Sequence, residues 1–379
     1  MKKLFLSLVA LAAVLASCSK SDVVNVPFEN IPITFNPYSG RTPEVKSTSF
    51  ASSQDSLDTF TFHAMGFLNE NSLYMDKVVK REAATDENGD NIKIWNYEGV
   101  AYWPGTNELE FLAYGLNTKY NGNNNVTLAE DNRSLNVVVP TNIYDQRDLL
   151  VAGAQTKAYS TAQGGGTVNL VFKHMFARIQ FTLKTVSKKP VDVSIEDLYI
   201  KGSFSQSGTV DLTSATPAIV ADAATADVVY SLISKKDNES FTGNAAEGTP
   251  IFDNSSLWNK VTNNTNAETD DYYEAVENAN TITAETNADQ RYMMIIPSDS
   301  HNAGLYVQYF LPYAGTMDKD MTTPDVVEPI DLSKVKFEAG KSYNFVLEVT
   351  TNSIDFSVEI TDWVDAEKNP ETTTIIPLN

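Results

Sequence analysis

Apolar and polar residues alternate with a period of two along much of this chain. Ile31, Ile33 and Phe35 share one face of Ile31-Pro-Ile-Thr-Phe35, Tyr343–Val349 repeats the pattern, and Ile354–Ile360 (IDFSVEI) keeps it at every step. A period of two marks a strand with one buried face. Val168–Leu183 (VNLVFKHMFARIQFTL) is longer and rich in β-branched and aromatic residues, which pack well on a pleated surface. Asn88-Gly89, Asn121-Gly122, Ser207-Gly208 and Ala339-Gly340 read as turns between such runs. Few stretches show a 3.6-residue period with helix caps. The pattern predicts an all-β protein whose short strands form antiparallel sandwiches rather than βαβ units.

Two stretches break the alternation. Residues 1–18 (MKKLFLSLVALAAVLASC) place Lys2 and Lys3 before an apolar run, Leu4–Ala16, that ends in small residues ahead of Cys18. The run is short for a bilayer span and has the layout of an export signal. Leu15-Ala16-Ser17-Cys18 resembles a lipobox, in which the thiol is acylated and the chain is cut just before it. A signal peptide over 1–17 and a lipid on Cys18 are therefore expected. The second stretch, Thr213–Gln290, is rich in Ala, Thr, Asn and Asp and reads as long polar loops of a second domain. A boundary near Ser187-Lys-Lys-Pro190 divides the rest into domains over 42–187 and 188–379.

Composition narrows the setting. Without its signal the chain keeps about 360 residues, enough for two buried cores. No later run is long and apolar enough for a transmembrane helix, so acyl chains are the expected tether to the outer membrane. The only cysteine is the one assigned to the lipid, which leaves none for a disulfide. With 49 acidic and 28 basic residues the formal charge is −21, which argues against nucleic acid or anionic lipid as a partner.

Candidate chemistry is sparse. His63, His174 and His301 are far apart in sequence, and neither an H-x-x-x-H nor a cysteine pair exists, so no metal or other cofactor is expected. Asp86-Glu-Asn-Gly-Asp90 resembles a calcium loop only superficially: Asn91 and Tyr97 stand where an EF-hand needs Gly and Glu, and a hairpin turn is expected instead. Gly164-Gly-Gly166 lacks the Lys-Ser/Thr of a phosphate loop, and no nucleophile–base constellation is recognisable, so no catalytic residue is assigned and the chain reads as non-enzymatic. Trp95, Tyr97, Tyr102 and Trp103 cluster within nine residues. Such rings serve as sugar-stacking platforms or as cross-strand core pairs, and core packing is the expected use. His174, alternating with Phe172 and Phe176, is expected to be a hydrogen-bonded sheet residue.

Several of these residues also carry a family resemblance. Trp95-Asn-Tyr97, Tyr102-Trp-Pro104, Leu109-Glu-Phe-Leu-Ala-Tyr114, Asp148-Leu-Leu-Val-Ala152, Leu170–Ile179, Phe337-Glu-Ala-Gly-Lys-Ser-Tyr343 and Trp363 follow one another in an order similar to that of the fimbrillin family, the subunits of type V pili. The resemblance spans about Ile31 to Trp363 and omits Thr213–Gln290. It implies two transthyretin-like sandwiches in tandem and a precursor that reaches the cell surface as a lipoprotein. It further implies that a trypsin-like protease removes the first strand, whose place is taken by a strand of the next subunit.

Mapped onto this chain, the resemblance makes 18–41 a lipidated tether with a removable first strand whose core-facing residues are Ile31, Ile33 and Phe35. Asn36-Pro-Tyr-Ser-Gly-Arg41 reads as an exposed loop, with processing after Arg41 and Lys46 as runner-up. At the other end, 372–379 offers Thr374, Ile376 and Leu378 on one face. This tail is either a donor strand or the last strand of its own domain. The implied partners are other fimbrial subunits, and the implied location is the outer membrane and the fimbria. The alternative is a monomeric surface lipoprotein, or a tip adhesin, that binds glycans or another host or bacterial surface ligand.

Overall fold

The computed structural model describes residues 31–39, 60–69, 72–86, 88–105, 107–117, 125–142, 145–159, 166–185, 194–224, 226–233, 258–261, 272–275, 293–310, 325–326, 329–349, 354–363 and 374–378. Cys18, Arg41, Lys46, Asn121-Gly122 and the expected boundary at 187–188 lie outside these residues.

The described chain is all-β. Its strands are β1 (Thr34–Ser39), β2 (Phe60–Phe67), β3 (Leu73–Thr85), β4 (Asn91–Tyr97), β5 (Leu109–Asn117), β6 (Asn125–Leu128), β7 (Ser134–Val138), β8 (Leu149–Lys157), β9 (Thr167–His174), β10 (Ala177–Thr185), β11 (Ser194–Gly202) and β12 (Ser207–Asp211). They continue with β13 (Ile219–Ala221), β14 (Val228–Ile233), β15 (Trp258–Val261), β16 (Tyr272–Ala275), β17 (Met293–Ile295), β18 (Gly304–Phe310), β19 (Asp325–Val326), β20 (Ile330–Asp331), β21 (Lys341–Val349), β22 (Ile354–Asp362) and β23 (Thr374–Pro377). Two compact units result, each assembled from separated stretches of chain. The first takes Met1–Lys119, Leu150–Lys173 and Leu212–Pro217; the second takes Tyr120–Leu149, His174–Asp211 and Ala218–Asn379.

One seven-stranded sheet, ordered β1-β9-β8-β5-β2-β3-β4, builds the first unit. Alternation does what period-two sequences should: β9 turns Val168, Leu170 and Phe172 inward and leaves Thr167 and Asn169 to solvent. Phe172 meets Phe60 and Phe62 of β2 with ring centroids 5.2 and 5.1 Å apart. Edge-to-face contacts of this kind stabilise a core beyond the area they bury. The β3–β4 hairpin buries only Met75 and Val79 along β3.

The second unit holds the sheets β17-β10-β21-β22-β23, β14-β11-β18-β19 (with β20 also on β18) and β13-β12-β7-β6, and the β15–β16 pair. Its strands are antiparallel except that β10 runs parallel to β21, as β1 does to β9 in the first unit. Parallel neighbours need long connections, which alternation within a strand does not reveal.

Three local expectations change. Val168–Leu183 is two strands, because Met175 N–H turns to Leu149 O and Phe176 O accepts Gly340 N–H, both at 2.9 Å, between β9 and β10. Ser207-Gly208 lies inside β12, not in a turn. Thr213–Gln290 is not all loop, since it supplies β13, β14, β15 and β16. Ala339-Gly340 is a turn as expected, with Gly340 at φ +71°, where a side chain would be strained. The nearby Tyr343 hydroxyl donates to Lys336 O at 2.5 Å and accepts Glu338 N–H at 2.7 Å, which fixes the residues leading into β21.

Burial pushes the Tyr343 phenol up to about 12. An unfolded tyrosine ionises near 10, so between these values the folded chain binds the extra proton and stability falls as pH rises. Below pH 10 both states are protonated and this contribution is intact. Tyr343→Phe is expected to cost about 1 kcal/mol at pH 8. It should also make the loss of stability between pH 10 and 12 shallower than in the parent. Urea titrations across that range check this, and parallel curves would contradict it.

Candidate functional site

The first described segment, Ile31–Ser39, is bound on two sides within the first unit. Its beginning pairs with the chain that follows β4: Pro32 and Tyr102 form a single antiparallel bridge. The flanking bonds are Ile33 N–H to Ala101 O (2.8 Å) and Trp103 N–H to Ile31 O (2.9 Å). Pro32 therefore sits in the one kind of pairing that asks no N–H of it. From Thr34 the segment changes partner and runs parallel to β9, from Thr34 opposite Thr167 to Ser39 opposite Phe172. Asn36–Ser39 is thus strand, not the exposed loop expected from its Asn-Pro and Ser-Gly content, because the β9 edge pairs with it.

Ile33 and Phe35 are 0% and 6% exposed, and Ile31 packs against the same core. The Phe35 ring lies edge-on to Phe62 (6.2 Å), Phe111 (6.0 Å) and Tyr97 (5.9 Å). The Tyr97 hydroxyl donates to Ile33 O at 2.5 Å. Burial raises its pKa, so it remains a donor at neutral pH. Gly166 O accepts both Thr34 N–H (3.3 Å) and Trp103 Nε1–H (3.1 Å). Gly166 itself sits at φ +92°, and a Cβ there would lie 3.0 Å from Pro32 O. Thr34 and Thr167 hydroxyls, and the Asn36 and Asn169 amides, add side-chain bonds on the outer face. No residue of Ile31–Ser39 is charged.

At the other terminus, β23 pairs antiparallel with β22 as the edge of its own sheet in the second unit. Leu378 is buried and its N–H donates to Phe356 O, whereas Ile376 is half-buried and Thr374 exposed. Ile375 is 62% exposed. Among the described residues of the tail, the pairing is with β22 and the well-buried side chain is Leu378.

The other candidates fall into structural roles. Trp103 is buried, and Trp95 and Tyr97 pack against the same core; Tyr102 alone of the four is exposed. Asp86 accepts Asn88 N–H and Asp90 N–H, closing the β3–β4 hairpin turn. His174 is a sheet residue whose Nδ1 lies 2.6 Å from Asp148 Oδ2, with its ring stacked on Trp363 at 4.1 Å. His301 is buried in the second unit and His63 lies half-exposed in the first, stacked on Tyr114. Among the described residues, no group of three or more His, Cys, Asp or Glu could hold a metal.

Tyr97, Ala101 and Gly166 were not assigned to the first segment on sequence grounds. Ala101 acts through its backbone and leaves no trace in side-chain pattern. The signal for Gly166 is the Gly164-Gly-Gly166 run itself, which marks backbone without side chains.

A family model described as fimbrillin-like matches residues 45–245, more than half of the 379-residue chain. Among solved structures, a fimbrial protein from Bacteroides vulgatus ATCC 8482 is 18% identical, with a TM-score of 0.53, over 88% of this chain and 100% of that one. A candidate cell adhesion protein from Bacteroides uniformis ATCC 8492 is 13% identical, with a TM-score of 0.47, over 88% and 99% of the two chains. No curated protein matches. At 18% identity the likeness to the fimbrial protein is one of fold alone.

The packing makes two substitutions costly and a third cheap. Phe35→Ala should destabilise the first unit by about 3–5 kcal/mol through an unfilled cavity. Gly166→Ala should also destabilise it, since the added methyl meets Pro32 O in a strained backbone. Ile375→Ala, on an exposed position, should stay within roughly 0.5 kcal/mol. Denaturant titration with tryptophan fluorescence measures all three, and a neutral Phe35→Ala would refute the burial argument.

Proposed function

Since this chain belongs to the fimbrillin-like family of non-enzymatic surface proteins, we propose that it is a structural subunit of a cell-surface fimbria, exported as a precursor acylated on Cys18 and polymerised by donor-strand exchange. Processing after Arg41, or at Lys46, hydrolyses one peptide bond and separates the lipid and first segment from the rest. The two units are read as transthyretin-like sandwiches. The donor is the carboxy-terminal tail, with Thr374, Ile376 and Leu378 on its inserting face.

One observation carries the reading. Ile31–Ser39 is an edge strand in the sheet order, yet it contributes two side chains, Ile33 and Phe35, that the core of the first unit closes around. Such a strand leaves behind apolar pockets and unpaired backbone groups when it goes, and both are satisfied by another extended segment. The light attachment of β23 supports its use as that segment. Ligand binding through the aromatic cluster has less support, because three of its four rings are committed to packing.

Cleavage after Arg41 is expected to make the purified precursor competent to polymerise, followed by light scattering and electron microscopy. Uncut protein that polymerises equally well would end the mechanism. Deleting Thr372–Asn379 should leave a folded subunit that fails to elongate fibres. On cells, a mature terminus at Thr42 marks a processed subunit, and an acylated Cys18 marks a retained anchor.

A further inference from the structure

We infer that the second unit carries a binding site for neutral oligosaccharides, made of an open cleft and a neighbouring pair of tyrosines linked through Asp227. The site is separate from the aromatic cluster of the first unit and does not depend on strand exchange. The cleft, about 450 Å³ in volume, opens where the chain after β7, the β11–β12 connection and the approach to β14 meet. Backbone bonds fix its walls: Val139 N–H donates to Gln206 O at 2.7 Å, and Asp222 N–H donates to Ser207 O at 2.9 Å. On one side Ala223, Ala224 and Ala226 are too short to fill the space. On the other stand Thr141, Gln206 and Ser207, which are polar. Asp227 completes the lining; its Oδ1 accepts the Ser203 hydroxyl at 3.0 Å, and its Oδ2 lies 3.9 Å from Lys201 Nζ.

Lys201 joins the cleft to an aromatic platform. Because β11 turns Leu198 and Ile200 into the core, Tyr199 and Lys201 share its outer face. Tyr306 of β18 lies opposite Tyr199, and the two rings stack at 4.7 Å with 7° between their planes. Val229 of β14, 42% exposed, sits opposite Lys201 and also lines the cleft. One continuous face therefore runs from the cleft through Asp227 and Lys201 to the tyrosines. The ligand class follows from this order. A sugar ring offers hydroxyls at its rim and C–H groups on its faces. Each Asp227 oxygen keeps a further lone pair, so the carboxylate accepts two adjacent hydroxyls in charge-assisted bonds. The alanines and Val229 meet C–H groups, and the tyrosines take the next ring at low entropic cost. Asp222 and Asp227 repel acidic sugars and phosphates. A cation is a poorer fit, since no three His, Cys, Asp or Glu among the described residues could hold one. Copies repeated along a fibre, on the reading proposed above, gain avidity from a site that is weak alone.

The test uses the purified, uncut precursor, which keeps binding apart from polymerisation. Saturation-transfer NMR takes lactose, cellobiose and mannobiose as neutral probes and digalacturonate as the acidic one. Transfer to at least one neutral disaccharide is expected, and none to the acid. Silence from every neutral probe at millimolar concentration overturns the inference, as does stronger transfer to digalacturonate. Asp227→Asn should weaken the neutral probe roughly tenfold, by loss of charge-assisted bonds. Tyr306→Ala should weaken it roughly two- to tenfold. Gln206→Ala, at an exposed position that leaves the sheet untouched, should weaken it severalfold. Circular dichroism confirms the fold of each variant, and indifference of binding to all three overturns the site. Tyr102→Ala, in the first unit, should leave binding unchanged; its loss there with Asp227→Asn silent also overturns the proposal. Binding by a precursor that never polymerises after cleavage keeps the site and defeats the fibre reading, whereas polymerisation without binding does the reverse.

Discussion

Ile33 and Phe35 are held where the chain after β4 and the β9 edge both reach the first segment, and the core of the first unit is organised around that meeting. Burying two such side chains is worth about 1.5–3 kcal/mol each. A domain's net stability is only about 5–15 kcal/mol. One uncharged segment of nine residues therefore supplies a large share of what keeps the first unit folded. On the strand-exchange proposal this constraint would work in both directions: loss of the segment would expose the core, and a strand that replaced it would inherit the same stabilisation. An exposed β9 edge would otherwise be an open template for indiscriminate pairing.

The second unit distributes its attachments differently. Trp363, just after β22, stacks on His174, faces the Arg178 guanidinium at 4.9 Å and donates its backbone N–H to Gly340 O. His174 is in turn bound to Asp148, and both are buried. Removing one partner of such a buried hydrogen bond leaves the other unsatisfied, at a cost of about 1–3 kcal/mol. The end of β22 is thus firmly fixed, while the described residues of β23 beyond it pair with β22 and bury Leu378.

Period-two alternation made the all-β class legible, and it picked out the faces of Ile31–Phe35 and β22 because each buries one side, whereas β21 also buries Ser342 and Val346 on its other face. Pairing was not legible. The parallel association of β1 with β9 joins residues more than 130 positions apart, and local pattern carries no record of such a partner. The strand at Asn36–Ser39 is hidden for a related reason: Asn, Pro and Ser favour turns in isolation, and the β9 edge overrides that preference. Gly340 announced its turn, whereas Gly208 did not, since β12 accommodates it between two neighbours. The aromatic cluster showed its identity in the sequence but not its distribution, with Trp103 and Tyr97 inward and Tyr102 outward.

Charge sets the last constraint on assembly. A chain of −21 repels its own copies, and at physiological salt that repulsion is screened beyond about 8 Å. Association through charged faces would have to overcome it at contact. Both segments proposed to exchange, Ile31–Ser39 and Thr372–Asn379, are free of charged side chains. Their seating depends on backbone pairing and apolar burial, neither of which the acidic surface opposes once the strand is inside. Electrostatic steering would contribute little to such an encounter.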